Sequence, residues 1–167
     1  MIRASGLLLA LLWLASAAPA ADTYVQTVVD SNGQLHILMK HRREIVPKKE
    51  PGQVSFQKPE IAPDGHAVGW LAMFPGTSYP VPMKLVIYAN GETRTFTGSG
   101  LPIWRWRFWS EGKEVAFEQE TAQGGQGVHY ELRNLATGDL VAQYDAESDA
   151  QEVAKPPRWV AEIDSDQ

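Results

Sequence analysis

The chain contains no cysteine, so no disulfide framework and no thiol-linked lipid can hold or tether it, and the fold has to rest on its apolar core. It also lacks a serine elbow, a phosphate-cradling glycine loop and a zinc-spaced histidine pair on a helix. His36 and His41 meet only by bending around a strand end, and His66 and His129 have no partner nearby in sequence. Asp64, His66 and Glu118 are the one conceivable acid-base set, and it would need assembly in space. No enzymatic activity, cofactor or metal is therefore expected. Positive charge is scarce as well, with 15 Lys and Arg against 20 Asp and Glu and a net charge of -5. Nucleic acid is thus a poor partner, because phosphate binding draws on concentrated positive charge.

Apolar runs are short, and the one unbroken stretch lies at the N-terminus. Met1-Ile2-Arg3 gives a positive start, Leu7 to Ala15 an apolar segment, and Ala18-Pro19-Ala20 a small-x-small cleavage site. This pattern predicts a signal peptide over residues 1–20. The segment falls well short of the roughly 20 apolar residues that a bilayer-spanning helix needs, so no integral membrane segment is expected after cleavage. Residues 21–155 are expected to form one all-β domain and residues 156–167 a tail, either disordered or closed down as a strand by Trp159 and Val160. Periplasmic or secreted localisation follows from the leader.

What the chain does have is strand signals. Tyr24 to Val29 and Leu35 to Lys40 flank Asp30-Ser31-Asn32-Gly33-Gln34, and Met83 to Tyr88 and Thr93 to Thr97 flank Asn90-Gly91. Asn-Gly between apolar runs is a strong short-range hairpin signal. Helix is expected only in the leader, with a short turn around Glu147 to Val153. A phrase then recurs 47 residues apart: Pro63-Asp64-Gly65-His66-Ala67-Val68-Gly69-Trp70 is echoed by Ser110-Glu111-Gly112-Lys113-Glu114-Val115-Ala116-Phe117. A fixed period of this size marks a repeated supersecondary unit. The two units run over approximately 54–97 and 101–145, with four strands in each. Asp64 and Gly65 are expected to shape the turn, the carboxylate accepting backbone N–H groups and the glycine supplying positive φ.

Strand, Pro-Asp-Gly, strand, then a glycine hairpin and a Thr-Gly turn resembles a blade of the bacterial TolB-like or WD40-like β-propeller repeat. The first unit keeps Pro63, Asp64 and Gly65; the second keeps Ser110, Gly112 and Lys113, with Glu111 at the aspartate position. The resemblance implies four-stranded antiparallel blades, but closed propellers take about 4 to 8 of them. Two units cannot close a ring. The expected fold is therefore two blade-like units packed as a sandwich-like domain after an N-terminal hairpin, with exposed faces covered by each other or by another subunit.

Two regions are candidate partner or ligand surfaces. One is the aromatic strand carrying Trp104, Arg105, Trp106, Arg107 and Trp109, expected to alternate so that Trp104, Trp106 and Phe108 share one face and Ile103, Arg105, Arg107 and Trp109 the other. Core packing of the rings competes with display to a ligand, and Arg105 and Arg107 are expected to face Glu118, Glu120 or Glu131. The other is the basic stretch Lys40, Arg42, Arg43, Lys48 and Lys49, opposed only by Glu44. The leading expectation is an exported, non-enzymatic protein that binds a protein partner or forms a homo-oligomer in an envelope assembly. A carbohydrate-binding module using exposed tryptophans is the second expectation. An inhibitor presenting the loop from Pro75 to Pro82 is the third.

Overall fold

The computed structural model describes residues 23–124, 127–146 and 155–165. The expected leader, the turn expected around Glu147 to Val153 and residues 125–126 lie outside the described residues. Among the described residues, eleven strands form three antiparallel sheets. The first contains β1 (Tyr24–Val29), β2 (Leu35–Met39) and β3 (Glu44–Ile45). The middle sheet contains β4 (Ser55–Ile61), β5 (Ala67–Phe74), β6 (Val81–Ala89) and β7 (Glu92–Phe96), in that order. The last contains β8 (Ile103–Trp109), β9 (Glu114–Gln119), β10 (Val128–Asn134) and β11 (Leu140–Ala146), again in chain order. A short helix, α1 (Arg158–Asp164), ends the described chain.

The turns have the chemistry their sequences require. Asp30 Oδ1 accepts the N–H groups of Asn32 and Gln34 at 2.9 and 2.8 Å, and Asn90 and Gly91 both take positive φ, 52° and 85°, as a two-residue hairpin demands. Asp64 Oδ1 accepts the His66 N–H at 2.9 Å, with Gly65 at φ 75°. In the second unit Ser110, Glu111 and Gly112 are all left-handed, at 52°, 56° and 85°. The two repeated turns lie against one another, since a Cβ on Gly112 would sit 3.2 Å from Ala62 Cβ and 3.4 Å from the Asp64 carboxylate.

Three apolar layers hold four layers of structure together. Tyr24, Leu35, Ile37 and Met39 pack on Phe56, Val68, Trp70 and Val86 between the first and middle sheets. Leu71, Leu85, Ile87 and Phe96 pack on Ile103, Trp106, Phe108, Val115 and Phe117 between the middle and last sheets. Ala116, Tyr130 and Leu132 pack on Trp159, Val160 and Ile163 of α1. Fully burying a side chain of this size contributes about 1.5–3 kcal/mol, which is how a chain without disulfides is held.

The repeat governs the order of these layers. Val68 and Trp70 of β5 face the first sheet, and their counterparts Val115 and Phe117 of β9 face the middle sheet. Leu85 faces the last sheet, and its counterpart Leu132 faces α1. Equivalent positions therefore serve successive interfaces, which is head-to-tail stacking. Among the described residues no sheet closes on itself; the domain is an open, sandwich-like stack.

The expected N-terminal hairpin is present, with the two-residue β3 added to its edge as a third strand. Two expectations are corrected here. The tail is neither a strand nor a loose end over residues 158–164, because Trp159, Val160 and Ile163 share a helical face and are buried. The alternation along β8 is broken by a bulge, so Ile103 joins Trp106 and Phe108 in the core.

Candidate functional site

Bulges at equivalent places in the two units shape one surface of the molecule where charged and aromatic side chains meet. In β4 the pairing with β5 slips between Gln57 and Glu60, and Lys58 there takes φ 46°. In β8 the pairing with β9 slips between Ile103 and Arg105, leaving Trp104 as the extra residue. Bulges re-aim side chains and favour positions beside functional sites. The two bulges are also tied together: Trp106 Nε1 donates to the Lys58 carbonyl at 3.2 Å, and Lys58 Nζ donates to the Trp104 carbonyl at 2.9 Å.

An open groove of about 480 Å³ lies over this junction, lined by Lys58, Tyr79, Trp104, Arg105, Glu118 and Glu120 and rimmed by the loop from Thr121 to Gly124. Its two aromatic rings are anchored by their polar tips to a single segment. Trp104 Nε1 donates to the Glu120 carbonyl at 3.1 Å, and Tyr79 Oη donates to the Ala122 carbonyl at 3.0 Å. Tyr79 is 50% exposed.

Glu118 is the groove's most constrained polar group. Only 5% of the residue is exposed, its Oε2 accepts no hydrogen bond, and Arg105 Nη1 stands 3.4 Å from that oxygen. Burial pushes the Glu118 carboxyl above its ordinary value, and the Arg105 charge opposes but does not cancel that effect. Arg105 Nη1 also reaches Asp164 Oδ1 of α1 at 3.2 Å, and Tyr130 Oη donates to the same oxygen at 3.1 Å. Burial, reinforced by the neighbouring Glu118 and Asp164 charges, keeps the Tyr130 hydroxyl protonated well above the usual phenol range.

The seven residues singled out from the sequence separate into three groups. Trp104 and Arg105 meet at the groove. Trp106 is 4% exposed and belongs to the core between the sheets. Arg107 and Trp109 face α1: Arg107 Nη1 donates to the Glu162 carbonyl at 2.8 Å, and the Arg158 guanidinium lies 5.8 Å from the Trp109 ring centre. Arg42 and Arg43 are exposed on the turn between β2 and β3, a full layer away in the first sheet. Arg105 does face Glu118 as expected, whereas Arg107 finds its acid, Glu162, on the helix. Sequence reasoning missed Lys58, Tyr79 and Asp164. The 47-residue offset pairs Lys58 with Arg105 and was the signal available for the first of them.

Other polar clusters have structural work. His129 bonds Asp145 at 2.5 Å and Glu131 at 3.3 Å, and Glu131 also holds Arg133 and buried Gln119. Among the described residues no three or more His, Asp or Glu side chains converge as a metal-holding group. No helix among them is long and apolar enough to cross a membrane.

No family model and no curated protein matches the chain. Among solved structures, Kuenenia stuttgartiensis hydrazine synthase aligns at 17% identity with a TM-score of 0.47, over 76% of this chain and 34% of that one. The chain thus spans about a third of that protein's length, and the likeness carries no functional argument.

Proposed function

We propose that this is an exported, non-enzymatic accessory protein that binds an acidic protein partner through the outer face of its first sheet. One observation carries the reading: the stack is head-to-tail and its two ends differ. The last sheet's outer face is covered in part by α1, whereas no described element packs on the outer face of the first. Register places Gln26, Val28, His36 and Leu38 on that outer face, opposite the core-facing Leu35 and Ile37. Val25 and Val28 are 55% and 41% exposed.

The occupant is argued from charge. Lys40, Arg42, Arg43 and Lys48 are exposed on or beside the same sheet, in a chain whose net charge is -5. A local cationic patch on an anionic protein steers and orients an acidic partner while repelling basic ones. The leader supports export to the periplasm or beyond. The unit-for-unit match of four strands, turn and bulge supports kinship with the TolB-like propeller repeat, here arranged as an open stack.

The test is capture from an envelope extract with wild type, Arg42→Glu/Arg43→Glu, Val28→Lys and Trp104→Ala. The expected result is an acidic protein retained by wild type and Trp104→Ala, lost with the first-sheet variants and weakened by salt. Equal capture by all four, or no reproducible capture, would count decisively against the proposal.

A further inference from the structure

We infer that the groove over the paired bulges is a second, separate binding site whose ligand is a neutral saccharide chain. Its residues combine the two features that a pyranose ring requires. The first is aromatic surface held in place before binding. Trp104 and Tyr79 spend their polar tips on the carbonyls of Glu120 and Ala122, so neither ring has to be ordered by the ligand. What each has left to offer is ring face, which suits the apolar C–H surface of a sugar.

The second feature is a mixed set of donors and acceptors at balanced charge. Lys58 and Arg105 bring two cations, and Glu118 and Glu120 bring two carboxylates. That balance disfavours a phosphate, which would meet the carboxylates, and equally a cationic ligand, which would meet the Lys and Arg. Sugar hydroxyls donate and accept at once and so match both halves of the set.

Glu118 supplies the independent pointer to a ligand. A carboxylate more than nine-tenths buried should have its lone pairs filled, yet Oε2, with Arg105 Nη1 3.4 Å away as its ion-pair partner, accepts no hydrogen bond, and the side chain lines the groove. A ligand hydroxyl that displaced the partly exposed Arg105 side chain from its side of the groove would reach that oxygen and satisfy it. The groove is open rather than enclosed, which fits internal residues of a chain better than a single captured monosaccharide.

The probes are glucose, maltohexaose, cellohexaose and chitohexaose, titrated by tryptophan fluorescence and confirmed by calorimetry. Saturable binding of at least one hexasaccharide, tighter than glucose by about tenfold or more, is expected. Tyr79→Ala changes a half-exposed side chain and leaves the core intact; it should weaken binding by roughly tenfold. Trp104→Phe should keep part of the affinity that Trp104→Ala loses, and Glu118→Gln should reduce affinity at unchanged stoichiometry. Arg42→Glu/Arg43→Glu should bind sugar as wild type does, which separates this site from the protein-docking face. Absence of saturable binding to every probe at millimolar concentration would overturn the inference. So would binding that the folded Tyr79→Ala and Trp104→Ala variants both retain in full.

Discussion

Gly69 is the position where the stacking of the middle and last sheets can be tested most sharply. It sits on β5, covered on both faces, and a Cβ built there would run into Trp106 Cη2, with Ile87 Cδ1 at 2.6 Å and Trp106 Cζ3 at 2.7 Å. Apolar carbons pack at about 3.5–4.0 Å, so the indole would have to withdraw by roughly 1 Å. It has little room to do so. Trp106 is 4% exposed, packs edge-on to Phe108 with ring centres 5.2 Å apart, and donates from Nε1 to Lys58.

The backbone at Gly69 is not left-handed, so alanine at that position gains about 0.4–1 kcal/mol by restricting the unfolded chain. Overpacking a filled core costs about 1–3 kcal/mol. The cost wins, and Gly69→Ala should lose roughly 1–2 kcal/mol, or several degrees in Tm for a domain of this size. Urea unfolding followed by circular dichroism measures it, provided the m-value is unchanged. Trp106→Phe removes the two indole atoms that clash and leaves only the terminal methyl of Ile87 to shift. The double variant should therefore lose less than the sum of the two single losses, with a coupling of about 1 kcal/mol. A neutral Gly69→Ala, or strictly additive losses, would show that Trp106 is not seated on Gly69 and that the two sheets meet differently.

Glu118→Gln tests the buried carboxylate through pH. Its raised folded value means that the native state holds the proton longer than the unfolded chain, so wild-type stability falls as pH rises from about 4.5 through that folded value. The glutamine variant should therefore gain in Tm relative to wild type on going from pH 4 to pH 7.5, and a constant difference across that range would refute the assignment. His36 has a raised value because Glu44, at 2.6 Å, and then Asp30 favour its cation. Its contribution is fully present below about 6.5 and is lost as pH rises through the folded value, so His36→Gln should flatten that part of the stability profile. Gly112→Ala forces a side chain into φ 85° and against Ala62, and should cost more than Gly65→Ala, where the nearest atom is 3.4 Å away. Thermal melts of the two variants rank them. Trp159→Ala should lose about 3–5 kcal/mol if α1 is an integral layer, measured by urea unfolding, and no more than a few tenths if it is a loose end.

The strands and their grouping were legible because turn chemistry is local. Asp30 to Gln34, Asp64-Gly65 and Asn90-Gly91 each need only their own neighbours to specify a reversal. The bulges were not legible in the same way, since a strand slips register for the sake of its partner. The signal at β8 was the spacing of Ile103 and Trp106, which share the core although strict alternation separates them. The helix was hidden by its brevity, but Pro156-Pro157 followed by Trp159, Val160 and Ile163 already had helical spacing. The split of the aromatic strand, with Trp106 inside and Trp104 at the groove, depends on the bulge and so could not be read before it.

The position of the groove follows from how the stack ends. Leu71 and Met73 of β5 meet another sheet, but their counterparts in the repeat are Glu118 and Glu120. A seven-residue helix is about 10 Å long, whereas a seven-residue strand runs about 23 Å, so α1 cannot cover the whole outer face of the last sheet. It covers Ala116, Tyr130 and Leu132 and ends at Asp164, beside Arg105. Beyond that point the sequence places two carboxylates, Glu118 buried at the end of β9 and Glu120 half-buried just after it. The same change from apolar to acidic leaves a buried acid at the floor of an open groove. A Glu118→Leu/Glu120→Leu variant should therefore abolish saccharide binding while extending the apolar face at the half-buried Glu120 position. In light scattering it should self-associate more than wild type, and a variant that stays as monodisperse as wild type would show that the two carboxylates have no part in keeping that face from pairing.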